Sequence, residues 1–222
     1  ASADGLATQA GLAMLAMGGN AVDAAIATNA AIAVTGPHLC GMGGDLLALV
    51  YYHGHVHCLN SSGRAGSGAS AAAVRKSGHS TMPFRHDIRT VTIPGCVDGW
   101  IALHERFASM PLATLLAPAI ALARDGFPAS PLLVDSAAKV DEQARTALRE
   151  LVSQAHRSGD RVRRPGVARA LRAITEGGRD AHYLGEFGDG LMRLAQQQTG
   201  GDWFTTADMS NPQAQWVAAL RA

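Results

Sequence analysis

Residues 18–60 read GGNAVDAAIATNAAIAVTGPHLCGMGGDLLALVYYHGHVHCLN, and the order of patterns within them decides the fold. Gly18-Gly19 closes one helix, and Asn20, answered by Asp23 three residues on, is placed to cap the next. The capped segment, 21–34, carries Ala, Val, Ile and Thr around nearly its whole circumference, so it is predicted to lie sandwiched between other elements. Four glycines between 36 and 44 then predict a loop that needs unusual backbone angles or a close approach to something. After it, 45–52 and 55–60 read as two strands joined at His53-Gly54, a hairpin.

The rest of the chain extends this α+β pattern. Leu6, Ala10, Ala13, Met14 and Met17 recur at three- and four-residue steps, the first helix. Residues 70–76 predict a short helix, 88–93 a further strand ending at Pro94-Gly95, and 96–107 a helix. Another helix spans 111–124, with Pro111 at its first position and Gly126 to stop it. From 131 to 200 the reading is helical, broken at Ser158-Gly159-Asp160 and Gly177-Gly178. Thr205 with Asp208 forms a capping box for a last turn. No internal repeat interrupts the chain.

Composition narrows the function classes. The 222 residues are 47% hydrophobic, 17% charged and only 5% aromatic, which favours small-residue helix packing in a folded globular protein. A formal net charge of +1 gives no reason to expect nucleic acid or a membrane surface as partner. The arginine-rich stretch 152–172 reads as a solvated helical face. No run is long enough for a membrane span. The first residues show no signal pattern, so the cytoplasm is the expected location, with the periplasm or export as alternatives.

Several familiar chemistries fit this sequence poorly. Cys40-Gly-Met-Gly-Gly-Asp45 lacks the strand-before, helix-after context of a nucleotide loop. His53, His55 and His57 alternate as zinc ligands can, but no carboxylate or second cluster accompanies them, and an exposed hairpin tip is the better reading. Gly66-Ser67-Gly68 resembles a nucleophile elbow only superficially. Cys40, Cys58 and Cys96 have no metal-type spacing and read as small buried hydrophobes, and nothing local activates Cys40 or Cys96. Arg64, in Asn60-Ser-Ser-Gly-Arg64-Ala-Gly, remains. It follows a strand among residues too small to shield it, where a guanidinium can hold a carboxylate through two parallel hydrogen bonds or simply lie on the surface.

These motifs, taken in order, resemble the gamma-glutamyltransferase family. Gly18-Gly-Asn-Ala-Val-Asp-Ala-Ala25, Pro37-His38 and Gly41-Met-Gly-Gly44 look like its opening signature. Pro94-Gly-Cys-Val-Asp-Gly-Trp100, Met110-Pro-Leu112 and Ala123-Arg-Asp-Gly-Phe127 are similar to its next block. Ser158-Gly-Asp-Arg161, Arg164-Pro165, Tyr183-Leu-Gly185, Gly200-Gly201 and Thr205-Thr-Ala-Asp208 continue in the family's order, so the resemblance covers essentially the whole chain.

The resemblance implies a four-layer αββα N-terminal-nucleophile hydrolase fold, made as a precursor that cuts itself in two. This chain, 1–222, would be the large-subunit portion of one domain, with 128–204 a mainly helical excursion. The catalytic Thr would begin the small subunit, with its own α-amine as base, so no catalytic residue is expected in this chain. Arg64 matches the family arginine that clamps the substrate carboxylate. No cofactor and no metal are implied. The partners would be the small subunit and a small amide substrate bearing a carboxylate, with room for a dimer of heterodimers. The family's large subunit normally continues beyond Arg221-Ala222. The small residues flanking Arg64, and Asp45 after the glycine pair, look like the amidase branch that includes oxamate amidohydrolase. Gamma-glutamyl hydrolysis or transfer, acylase action on a β-lactam side chain, and a catalytically silent binding protein of the same fold are the alternatives.

Overall fold

The computed structural model describes residues 1–220; Arg221-Ala222 lie outside them. In chain order the elements are α1 (Gly5–Ala16), α2 (Ala21–Thr35), β1 (Leu46–Tyr52), β2 (His55–Ser61), α3 (Ala71–Lys76), α4 (Cys96–Phe107), α5 (Leu112–Asp125), β3 (Phe127–Pro128), α6 (Pro131–Ala138), α7 (Glu142–Arg145), α8 (Arg149–Val152), β4 (Arg161–Val162), α9 (Pro165–Tyr183), α10 (Glu186–Thr199), α11 (Thr206–Ser210) and β5 (Gln215–Val217). Helices and strands are both present, as expected of an α+β chain. The chain divides into two compact units, residues 1–41 with 103–176 and residues 42–102 with 177–220. No helix among the described residues is long and apolar enough to cross a membrane.

The first unit is built on α1, α2 and α5. Gly11 is where α1 meets α2, because a Cβ there would collide with the Thr28 hydroxyl. The apolar circumference of α2 is explained by its burial: Ala30 to Thr35 are all buried, and Ala31 and Ile32 pack with Ala7 and Ala10 of α1. Arg164 donates to the carbonyls of Ala33 (3.0 Å) and Val34 (3.3 Å), supplying partners at the C-terminal end of α2.

The predicted capping box forms. Asn20 Oδ1 accepts from the Val22 and Asp23 amides, and Asp23 returns a bond to the Asn20 N–H at 2.8 Å. Asp23, fully buried, also accepts from the Ser109 amide and hydroxyl and from the Met110 amide. Burial alone would raise its carboxyl. The Ser109 hydroxyl and the three amides outweigh burial and hold it below the ordinary carboxylate range. The ionised form is therefore the stabilising one, present at neutral pH and lost as pH falls through the depressed value. Asp23→Asn should cost about 2 kcal/mol at pH 7, the scale of a charge-assisted hydrogen bond. Thermal melts in a pH series check this: the gap from the parent protein should narrow below about pH 4, and a constant gap contradicts the charge argument.

The second unit carries a three-stranded antiparallel sheet in the order β1-β2-β5. The hairpin turns through His53 (φ 48°) and Gly54 (φ 79°), the two positive φ values of a type I′ turn. Leu47 pairs with Asn60, Leu49 with Cys58, Tyr51 with Val56, and Cys58 in turn with Val217. These residues share one sheet face, and it is bare: Leu47, Leu49 and Tyr51 are 69%, 71% and 75% exposed. On the other face Leu59 and Ser61 are buried, and Gly99 of α4 leaves room for Leu46.

Five expectations need correction. The stretch 152–172 is not one solvated helical face: it holds β4, α9 begins only at Pro165, and Arg164 is turned inward onto α2. Residues 88–93 are not a strand but a 3-10 turn, Ile88–Thr90, followed by irregular chain. The Asp87 carboxylate accepts from the Arg89 amide and draws that segment into a turn. Pro111 caps α5 from outside, with an extended ψ of 139°, rather than occupying its first position. The glycines between 36 and 44 take no positive φ; a Cβ at Gly41 or Gly43 would meet open space, whereas Gly36 shows the expected close approach, to Ile32. Finally, β3–β4 and β5 were not anticipated, being two and three residues long. The expected break at Gly178 is real: it sits in α9 with a non-helical φ of 62°.

Candidate functional site

Arg64 stands on the loop that leaves β2, and its main chain is held from several sides within the second unit. The Arg64 N–H donates to Gln213 Oε1 at 3.0 Å, and its carbonyl accepts from the Ile93 amide at 2.8 Å. Gly63, with φ 81°, turns the chain so closely that a Cβ would collide with the Ile93 carbonyl. Upstream, the buried Ser61 hydroxyl donates to the Gly95 carbonyl at 2.7 Å. Downstream, Ser67 donates both its amide (3.0 Å) and its hydroxyl (2.9 Å) to Asp208 Oδ2. That pair anchors the loop at Ser67. Asp208 belongs to the Thr205 capping box, so one carboxylate closes a helix and a loop together.

The side chain does the opposite of the backbone. Arg64 is exposed, and its guanidinium has no hydrogen-bond or ion-pair partner among the described residues. Arg89, also near this loop, differs: Asp87 binds it at 2.8 Å. A rigid main chain carrying an unengaged planar fork suits capture of an external carboxylate. Beside the loop, a cavity of about 440 Å³ is walled by Ala65, Val74, Met82, Val91 and Trp203.

Beneath Arg64 lies a buried polar assembly. Gln213, 3% exposed, donates its Nε2 to the Asn211 carbonyl at 2.7 Å and its amide to Asp98 Oδ2 at 2.6 Å. Asp98, 4% exposed, faces Arg179 Nε at 2.9 Å. The N–H is not aligned on that oxygen, so the contact is an ion pair rather than a directed hydrogen bond. Arg179 Nη2 also donates to the Asn211 carbonyl at 2.6 Å, and its guanidinium lies 4.5 Å over the Tyr183 ring. The Tyr183 hydroxyl donates to the Pro94 carbonyl at 2.5 Å and accepts from the Asp98 amide at 3.3 Å. Burial, and then the Arg179 charge, push neighbouring His182 down to about 4. It is therefore a neutral ring at pH 7, stacked on Phe187.

The remaining candidates are not brought together. His55 and His57 face one side of the sheet, while Cys58 faces the other with Leu49 and Val56. No group of three or more His, Cys, Asp or Glu side chains among the described residues could hold a metal ion. Cys40, Cys58 and Cys96 are all free thiols, and burial pushes Cys40 up, away from the thiolate a nucleophile needs. Sequence reasoning missed Gln213 and Arg179 entirely.

Comparison with known proteins gives this loop its context. The family model described as gamma-glutamyltranspeptidase matches residues 7–222. The oxamate amidohydrolase proenzyme of Klebsiella pneumoniae is 35% identical over 89% of this chain and 40% of its own length. The glutathione hydrolase-like YwrD proenzyme of Bacillus subtilis is 32% identical over 97% of this chain and 42% of its own length. The chain thus spans about two fifths of these curated relatives. Among solved structures, a cephalosporin acylase from Bacillus halodurans superposes with a TM-score of 0.85 at 34% identity, over 96% of this chain and 41% of that one. A gamma-glutamyltranspeptidase from Pseudomonas nitroreducens gives 0.83 at 27%, over 98% and 65%. The expected α+β architecture, the αββα N-terminal-nucleophile hydrolase fold, is the one shared with these enzymes. The chain belongs to the gamma-glutamyltranspeptidase family.

Proposed function

We propose that this chain is the large-subunit part of a self-processed amidohydrolase, and that Arg64 binds the carboxylate of a small amide substrate. The observation that carries the reading is the unengaged guanidinium on a main chain pinned at both its N–H and its carbonyl. A companion segment of the same precursor would supply the attacking Thr. Its hydroxyl adds to the amide carbonyl while the α-amine takes the proton; the C–N bond breaks and ammonia or an amine leaves with that proton. Water then adds to the acyl-enzyme and releases the acid. Charge developing on the carbonyl oxygen needs oriented donors, which this reading also assigns to the companion.

The bare sheet face supports the need for a companion. Leu47, Leu49, Tyr51, Val56 and Val217, each more than 40% exposed, lie on one side of a single sheet, and apolar sheet faces are normally covered by a second layer.

An oxamate-type substrate is the first choice, since the residues around Arg64 are Ser62, Gly63, Ala65 and Gly66. None could recognise an α-amino group by charge. Similarity to the YwrD proenzyme favours a second reading, hydrolysis or transfer of a γ-glutamyl group. The deciding experiment uses the complete gene product, purified after maturation. It should run as two bands and release ammonia from oxamate faster than it releases amine from γ-glutamyl compounds. The reverse preference overturns the oxamate assignment, and a single uncut band without either activity overturns the enzyme reading.

A further inference from the structure

We infer that Gln213 is a positioning residue for substrate capture: its buried amide oxygen fixes the main chain from which the Arg64 guanidinium projects. The inference rests on the reading of Arg64 as the carboxylate clamp. Gln213 lies 149 residues from Arg64 in sequence, yet its Oε1 accepts the Arg64 N–H at 3.0 Å. The opposite end of the same amide is oriented by the Asn211 carbonyl at 2.7 Å, which permits only a donor there and so directs the oxygen toward Arg64. The Gln213 backbone is fixed in turn by Asp98 Oδ2 at 2.6 Å.

A side-chain amide is costly to bury unless every polar atom is satisfied. This one is 3% exposed, and Arg64 N–H is the partner its oxygen has. The geometric consequence falls on Arg64. Gly63 has positive φ and could swing the following residue through a wide arc. The Gln213 and Ile93 bonds, one to each side of the Arg64 peptide groups, remove that freedom before substrate arrives. Pre-ordering of this kind lowers the cost of binding rather than the barrier to chemistry.

Gln213→Met is nearly isosteric and removes the acceptor. In the matured enzyme, with oxamate or, if that is what it turns over, a γ-glutamyl anilide, KM should rise about five-fold, the scale of one hydrogen bond, with kcat held within two-fold. The decisive readout is the same substitution in an Arg64→Ala background, where a residue acting only through Arg64 adds nothing further to KM. An equal rise in both backgrounds, a fall in kcat alone, or an unchanged KM overturns the inference. Should Gln213→Met fail to mature, Gln213→Asn keeps a buried amide but stops it short of the Arg64 N–H, and the same KM rise and the same loss of effect without Arg64 are expected. If Arg64→Ala itself leaves KM unchanged, the clamp reading fails and the inference with it. If Arg64→Ala raises KM while both Gln213 variants are flat, only the inference fails.

Discussion

Replacing Arg64 by Ala should raise the KM of the matured enzyme about 100-fold, equivalent to ~3 kcal/mol for a charge-assisted pair, with kcat changed by only a few-fold. The split follows from geometry. The carboxylate is not the reacting group, so a clamp on it acts alike on bound substrate and transition state, and its loss appears in KM. Arg64 is exposed in this chain, where an ion pair would be worth little. The large effect is expected only when the substrate and the companion segment exclude water from the same cleft. Arg64→Lys should recover part of the loss and leave KM about ten-fold high, since an ammonium keeps the charge but not the two-pronged donor set. An amide substrate with no carboxylate supplies the control, because it should be equally poor with parent and variant. Steady-state kinetics on the three proteins decide the matter, and a KM for Arg64→Ala equal to the parent's takes Arg64 out of the site.

Why Arg64 could be proposed from the sequence and Gln213 could not is a matter of range. The capping boxes at Asn20–Asp23 and Thr205–Asp208 are written in four consecutive residues each, and both form as read. The hairpin is equally local, fixed by His53-Gly54 and the apolar runs on either side. Arg64 stood out because its neighbours are too small to cover it. What failed was local reading of partners set by tertiary structure. Residues 88–93 are apolar enough for a strand, but the Asp87 carboxylate, the Gln198 side chain on the Ile88 amide and the Arg64 carbonyl on the Ile93 amide take their hydrogen bonds one at a time. β5 is too short to show a period, and it exists because β2 offers Cys58 to Asn60 as a ladder. Gly41 and Gly43 face open space rather than a close neighbour. Asp98, Arg179 and Gln213 lie on three distant segments, and no spacing rule joins them.

Those three residues also yield the largest stability effect expected of any single substitution here. Asp98→Ala should lower stability by about 4 kcal/mol, because breaking one side of a buried ion pair leaves the other charge uncompensated. Arg179 would lose its counter-ion, and among the described residues its other carboxylate neighbour is a poor substitute: Asp180, 3.6 Å from Arg179 Nη1, has a side chain 75% exposed and screened by water. The Gln213 amide would lose its acceptor in the same step. His182 cannot relieve the charge, being already neutral beside it. At roughly 2–4 °C per kcal/mol for a protein of this size, the melting midpoint should fall by about 10 °C. Asp98→Asn keeps an acceptor for Gln213 and should lose less. The telling comparison is Asp98→Leu combined with Arg179→Met, which removes both charges together. Buried pairs replaced by apolar side chains are often close to neutral, so the double variant should melt above Asp98→Leu alone. If instead the two losses simply add, Asp98 and Arg179 are not paired in the working protein, and the support drawn beneath Arg64 is wrong at its base.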